Sequence, residues 1–278
     1  MARPPDPAIQ AFLSEARDNL LAYSILGDPK YVPYRWHRHV ARRLEAAVAR
    51  GRGRIMVFAP PQHGKSRLVS KQLPPWIFGK HPDWPIIAAS YGIDLAEENG
   101  QAVRDQLMSP VHAAVFPESR LDGSTTGKTY FKTTEGGLYL GTTIRGGATG
   151  FPSKVFIIDD PFKSREEAES ERVRESTKTW FTSVVYPRLA EDSLLIVMHT
   201  RWHEDDLAGW LLREHPQEDW EVVNLPALAL ESDQLGRAPG EALCPERFSE
   251  EALARKRVVS GSRDWEALYQ QRPVAGTG

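Results

Sequence analysis

Three groups of residues in this chain are of types and spacings that could do chemistry on a phosphate. The first is Phe58-Ala59-Pro60-Pro61-Gln62-His63-Gly64-Lys65-Ser66. It lies between a short β-branched run at residues 54–58, which predicts a strand, and a breaker-free stretch at 67–73, which predicts a helix. A helix start leaves backbone N–H groups unpaired at the positive end of the helix dipole, so a polyphosphate can dock there. In that setting Gly64 allows close backbone approach, Lys65 reaches the β- and γ-phosphates, and the Ser66 hydroxyl ligates Mg²⁺. Pro61, Gln62, His63 and Arg67 complete the candidate ATP-binding set. The pattern has departures: Ala59 stands where a glycine is usual, and Pro60 and Pro61 have no N–H to donate. Taken alone, Gly-Lys-Ser could equally open an ordinary helix.

The second group is Asp159-Asp160, directly after the apolar run Val155-Phe156-Ile157-Ile158. Such a run ending in carboxylates describes a central parallel strand with acids at its C-terminal tip, where open α/β sheets bind ligands. Asp159 would hold Mg²⁺ and Asp160 would orient or deprotonate the attacking water. The competing reading is a strand closed by a helix-capping Asp-Pro turn, and the lysine loop upstream weighs against it. The third group, Thr200-Arg201-Trp202-His203, follows another apolar run at 193–198. A hydroxyl at that tip can sense the γ-phosphate and relay its state to the helix predicted over 204–213.

Positioning these groups requires alternating strands and helices. Residues 85–91 read as a second buried strand and 93–108 as its helix, the rhythm of an α/β fold with a parallel sheet. Residues 130–133 and 138–142, split by Glu135-Gly136-Gly137, predict a β-hairpin. The glycine-rich stretch 145–150 is expected to be flexible, with Arg145 its only charge: surface decoration, or in a ring ATPase the cation offered to a neighbour's γ-phosphate. Residues 165–178 predict one exposed helix, 220–225 an edge strand, and 249–259 and 264–271 closing helices. A helical stripe over 8–25 precedes all of these. The division expected is an N-terminal helical extension (1–30), a nucleotide-binding core (31–226) and a C-terminal helical part (227–278).

Between Tyr31 and Arg54 seven arginines face one acid, Glu45. This is either a solvated face or a contact for nucleic-acid phosphates. Trp36 and His37, just ahead of the first strand, either stack on an adenine or fill the core at a helix start. The formal charge of −2 over 278 residues gives no global nucleic-acid signature, so any DNA contact must be local. One cysteine, Cys244, excludes an internal disulfide and suits a reducing compartment. The start has no apolar segment of signal-peptide type, and no run approaches a membrane span. A soluble, intracellular protein is expected.

The blocks 60–66, 157–161, 200–207, 225–227, 242–248 and 267–273, in this order, resemble the ATPase half of the large terminase subunit of tailed bacteriophages and prophages. The resemblance runs from about Tyr31 to Pro273. It implies a P-loop NTPase of the additional-strand, catalytic-glutamate class: a mostly parallel sheet flanked by helices, with an inserted β-hairpin. It also implies a DNA-packaging motor that uses ATP and Mg²⁺, with double-stranded DNA, a portal protein and a small terminase subunit as partners. Such a motor forms a homo-oligomeric ring, works in the bacterial host cytoplasm and touches no membrane. By this likeness Lys65, Asp160, Thr200 and Arg145 are catalytic, with Asp160 where a glutamate usually stands and Arg145 where an arginine finger sits. Gln62 stands where similar sequences often have arginine. Glu135, Glu166 and Glu204 are substitutes for the base. The family's nuclease domain is expected to be absent, the chain being a truncated or split product that hydrolyses ATP without cutting DNA. Other readings are a helicase-like translocase and a nucleotide-binding scaffold with little turnover.

Overall fold

The computed structural model describes residues 7–125 and 127–274. The proline-rich start at 1–6 and the terminal Gly276-Thr277-Gly278 lie outside the described residues. Seven strands form one sheet: β1 (Gly53–Phe58), β2 (Pro85–Ser90), β3 (Tyr130–Lys132), β4 (Leu138–Thr143), β5 (Ser153–Asp159), β6 (Leu189–His199) and β7 (Glu221–Asn224). Their order is β3-β4-β2-β5-β6-β1-β7. Every neighbouring pair is parallel except β3–β4. The expected hairpin is present, and its second strand, β4, is a full member of the sheet beside β2. Strand β6 is inserted between β1 and β5, and β7 takes the edge beside β1, as its sequence suggests.

Apolar residues alternate between two cores because successive side chains point to opposite faces. Ile55, Val57, Val155, Ile157, Leu194 and Ile196 face one cluster; Met56, Phe58, Phe156, Ile158, Leu195 and Val197 face the other. Both faces of the central strands are therefore dry, which is why these runs read as continuously apolar rather than alternating.

On the first face the stripe at 8–25 is two helices, α1 (Pro7–Asp18) and α2 (Leu20–Gly27). Asn19 is extended between them, and its side chain accepts from the Ala22 N–H at 2.9 Å. Helix α3 (Arg35–Arg50) lays Trp36, Val40, Leu44 and Ala47 on this face and stops at Gly51, which is left-handed. The segment after the lysine loop begins as a π-helical turn, Arg67–Gln72, before α4 (Leu73–Lys80). Pro74 and Pro75 have no N–H for the carbonyls of that turn, so a regular α-helical start is not available. Helices α5 (Ile93–Leu107) and α6 (Pro110–Val115) complete the layer.

The opposite face carries α7 (Arg165–Glu169), α8 (Glu171–Trp180) and α9 (Leu207–Glu214). The single helix expected over 165–178 is broken at Ser170, which is extended. Helix α10 (Glu250–Asp264) has a left-handed Gly261 inside it and passes into a π-helical turn, Trp265–Tyr269. Ala227, Ala242, Leu253 and Trp265 form a small cluster of their own in this last part of the chain. The loop at 145–150 is not free as expected. Trp180 Nε1 donates to Gly146 O at 3.0 Å, Arg188 Nε to Ala148 O at 2.6 Å, and Thr142 Oγ1 to Gly147 O at 3.1 Å. Of the arginines between 31 and 54, Arg43 pairs with Glu221 at 3.1 Å and Arg54 with Glu218 at 2.9 Å. Among the described residues no helix is long and apolar enough to cross a membrane.

Two outcomes follow from this packing. Ile196 is fully buried in the inserted strand, whereas Ile9 is 55% exposed. In urea denaturation, Ile196→Ala is expected to cost about 2–5 kcal/mol and Ile9→Ala less than about 0.5 kcal/mol. Equal losses would contradict the placement. His37 starts α3 by accepting the Tyr34 N–H on Nδ1 at 2.9 Å, and burial pushes its pKa down to about 3. The unfolded chain takes up that proton near pH 6.5 and the folded chain does not, so this group's contribution is present above pH 6.5 and is lost as pH falls towards 3. His37→Gln keeps an acceptor but does not titrate. Its stability is expected to fall less steeply between pH 6.5 and 4 than wild type, by up to about 1.4 kcal/mol per pH unit, and an unchanged slope would rule this out.

Candidate nucleotide-binding site

The three strand tips meet because of register. Phe58 on β1 lies opposite His199 on β6, and Asp159 on β5 lies opposite Met198. The residues that leave these tips, Ala59, Asp160 and Thr200, therefore emerge side by side at the C-terminal edge of the sheet. There they border a cleft of about 340 Å³ lined by residues 61–67, Tyr91, Asp160, Phe162, Lys163, Thr200 and Trp202.

The loop wall is built from unusual backbone. Gln62 has φ 62° and Gly64 φ 94°. A Cβ on Gly64 would meet His37 Nε2 at 3.3 Å, so both the angle and the neighbour favour glycine. His63 donates from Nδ1 to Pro61 O at 2.9 Å, closing the turn, and burial lowers its pKa to about 4. Lys65 is buried, and its ammonium donates to Ala59 O at 2.8 Å and to Thr200 Oγ1 at 2.7 Å. A phosphate oxygen competing for that ammonium would replace neutral acceptors with a charged one, a stronger bond. Arg67 lines the cleft with its guanidinium paired to Asp28 and lying 5.0 Å from the Tyr31 ring centroid.

The acid wall divides into two roles. Asp159 is buried beneath the loop, accepting from Ser66 Oγ at 3.2 Å and from Ser70 Oγ at 2.6 Å. Burial, then the neighbouring Asp160 carboxylate, push its pKa up to about 7. Such a carboxylate is stabilised by either a proton or a cation. Its oxygen and the Ser66 hydroxyl are hard donors of the kind Mg²⁺ takes while keeping waters and phosphate oxygens, so this pair fits that ion. The described residues contain no cluster of three or more His, Cys, Asp or Glu that would form an all-protein metal cage. Asp160 instead faces the cleft. It is left-handed, with φ 47°, and its Oδ1 accepts the Thr200 N–H at 3.0 Å while its own N–H donates to Met198 O at 2.8 Å.

At the third tip, Arg201 Nε donates to Asp206 Oδ2 at 2.8 Å, and Asp206 Oδ1 caps α9 by accepting the Gly209 N–H at 2.9 Å. Burial alone would raise the Asp206 carboxyl, but Arg201, His199 and the Gly209 N–H together hold it below the usual range.

The structure thus brings together Pro61, Gln62, His63, Gly64, Lys65, Ser66, Arg67, Asp159, Asp160 and Thr200. It separates others from the cleft. Trp36 is fully buried and stacked on His37, and His37 lies beneath the loop among Tyr31, Tyr34 and Trp36. Neither ring has a free face for an adenine, so the core-filling alternative describes them. Arg145, left-handed with φ 67°, lies 3.9 Å from Glu167 and does not line the cleft. Glu135, Glu166 and Glu204 are also absent from its lining, which leaves Asp160 as the carboxylate that faces it.

Sequence reading missed Ser70, although it lies four residues after Ser66 on the same segment. It also missed Tyr91, Phe162 and Lys163, each of which follows a strand tip, whereas Trp202 of the third group does line the cleft. A second cleft of about 920 Å³, lined in part by Arg52, Tyr186 and Trp220, opens at the other end of the strands. It contains none of the phosphate-loop residues and neither Asp159 nor Asp160.

With this geometry in place, comparisons with known proteins agree. No curated protein sequence matches the chain. The crystal structure of the HK97 bacteriophage large terminase superposes with a TM-score of 0.57 at 13% identity, covering 92% of this chain. The match takes in 55% of that protein, so this chain spans about half of its length. A point variant of the Thermus phage P74-26 large terminase ATPase domain superposes with a TM-score of 0.60 at 15% identity, over 91% of this chain and 98% of the other. At these identities the likeness establishes the fold, which is the P-loop fold of terminase ATPase domains. The family model described as terminase large subunit, T4-like-virus type, N-terminal, matches residues 56–269. The chain belongs to that family, matching the N-terminal part of the terminase large subunit.

Proposed function

We propose that this chain hydrolyses ATP and that the hydrolysis drives double-stranded viral DNA into a procapsid. The observation that carries the reading is the meeting of Lys65, Asp160 and Thr200 at one cleft at the C-terminal edge of the sheet, with Asp159 directly beneath its loop on Ser66. The P74-26 neighbour is described as an ATPase domain, and the family is that of terminase large subunits, which agrees.

In the proposed reaction the loop N–H groups and the Lys65 ammonium bind the β- and γ-phosphates. This requires Lys65 to exchange Ala59 O and Thr200 Oγ1 for phosphate oxygens. Ser66 and Asp159 would hold Mg²⁺, which would supply positive charge to offset the negative charge developing on the phosphates. Asp160 positions the attacking water and takes up its proton, with its carboxylate orientation fixed by the Thr200 N–H. Arg145 lies outside the cleft of its own chain, an arrangement suited to service in a neighbour's site. On this reading the active form is a homo-oligomeric ring, acting with portal protein and small subunit in the bacterial host cytoplasm.

Phosphate release separates these roles. Lys65→Ala and chelation of Mg²⁺ are each expected to abolish turnover. Asp160→Asn is expected to lower kcat by about 10²–10⁴-fold while an ATP analogue still binds. Retained turnover in Asp160→Asn would remove it as the base. Binding without turnover in the unmodified chain would favour a nucleotide-binding scaffold. Wild-type turnover per molecule should rise with protein concentration or DNA, and Arg145→Ala should lose that rise, on the order of 10³-fold at saturation. An unchanged rise would exclude Arg145 as the finger.

A further inference from the structure

The C-terminal segment touches the nucleotide site at two places that the proposed hydrolysis does not use. Phe248 packs against His63 of the loop, with ring centroids 5.0 Å apart. Gln271, only 3% exposed, reaches the tip of β6, where its Oε1 accepts the Arg201 N–H at 3.2 Å. Its Nε2 donates to Leu268 O, so both ends of the amide are committed. Gln271 is also left-handed, with φ 56°, a conformation that a glutamine holds only when its surroundings dictate it. Gln62, Arg145 and Asp160, all in the candidate machinery, share that property.

The peptide that Gln271 holds is the one directly after Thr200. Thr200 has two bonds into the site: its hydroxyl accepts from Lys65 Nζ at 2.7 Å, and its N–H donates to Asp160 Oδ1 at 3.0 Å. A phosphate that draws the Lys65 ammonium away leaves the Thr200 hydroxyl without its donor. The adjacent Arg201 N–H, on the same short turn, is tied to Gln271. The other side of Arg201 is rigid, because its guanidinium is fixed by the buried Asp206 and lies 5.0 Å from the Phe58 ring centroid. A change at Thr200 is therefore transmitted most directly along the Arg201 N–H to Gln271.

We propose that Gln271 is a positioning residue through which occupancy of the phosphate site sets the C-terminal segment, from the Phe248 contact to the turn at Trp265–Tyr269. This rests on the nucleotide-binding reading of the cleft. Amide hydrogen exchange with and without a non-hydrolysable ATP analogue and Mg²⁺ tests it. In wild type the analogue should slow exchange at 62–67, which reports binding, and should change exchange at 265–271. Gln271→Gly suits the left-handed backbone and removes both amide contacts. It should keep the protection at 62–67 but lose the nucleotide-dependent change at 265–271, with kcat reduced about 10-fold and KM within about twofold. Gln271→Glu, which keeps the acceptor for Arg201 N–H, should retain the change. Should Gln271→Gly fail to fold, Thr200→Val cuts the same path one residue earlier and should likewise keep 62–67 protected while silencing 265–271.

A nucleotide-dependent change at 265–271 that persists in Gln271→Gly, or in Thr200→Val, overturns the inference while leaving the binding reading intact. No protection at 62–67 in wild type overturns the binding reading, and the inference with it.

Discussion

Side-chain direction in a strand has a period of two, so a strand that slips by one residue sends every side chain to the opposite face. In this protein that constraint falls on β6, which pairs with β1 on one side and β5 on the other. Its apolar residues alternate between the two cores, Leu194, Ile196 and Met198 in one and Leu195 and Val197 in the other. The register puts Thr200 level with the start of the lysine loop and with Asp160. Lys65 can then reach across β6 to a hydroxyl, and Asp160 can accept the N–H of the same threonine. Without that strand β1 and β5 would be neighbours, and Thr200 would not stand between the lysine loop and the acids.

The same burial sets the electrostatics. A buried ammonium and a buried carboxylate are costly unless hydrogen-bonded. Lys65 is satisfied by loop carbonyls and Thr200, and Asp159 by two serine hydroxyls. These partners are neutral, so the groups remain available to stronger ones: an anion for Lys65, a cation for Asp159. Ion pairing of Lys65 directly with Asp159 would have closed the site to both. The left-handed Gln62, Asp160 and Gln271 show where local backbone preference gives way to this arrangement.

Much of the fold was legible because the central runs are apolar on both faces and end in polar residues. Strands β1, β2, β5 and β6, and the edge position of β7, follow from that pattern and from the turns between them. The breaks were less legible. Asn19 and Ser170 interrupt amphipathic stripes by local capping, which periodicity does not register. The wide turn before Pro74 depends on two missing N–H groups rather than on apolar spacing. At the site, loop and acid identities were readable from residue type at strand ends. Trp36 and His37 were not, since an aromatic next to a loop looks the same whether it faces a base or a core. Ser70 and Gln271 were missed because their roles depend on contacts across 89 and 70 residues of chain.

The central claim is that the lysine loop, the aspartates and the threonine tip act on one triphosphate. A crystal structure of the chain with Mg²⁺ and a non-hydrolysable ATP analogue tests this most directly. It should show Lys65 Nζ moved from Thr200 Oγ1 to the phosphates, the ion on Ser66 and Asp159, and Asp160 facing the γ-phosphate. A nucleotide seated elsewhere, such as the cleft beside Tyr186 and Trp220, with the Lys65–Thr200 bond intact, would contradict it.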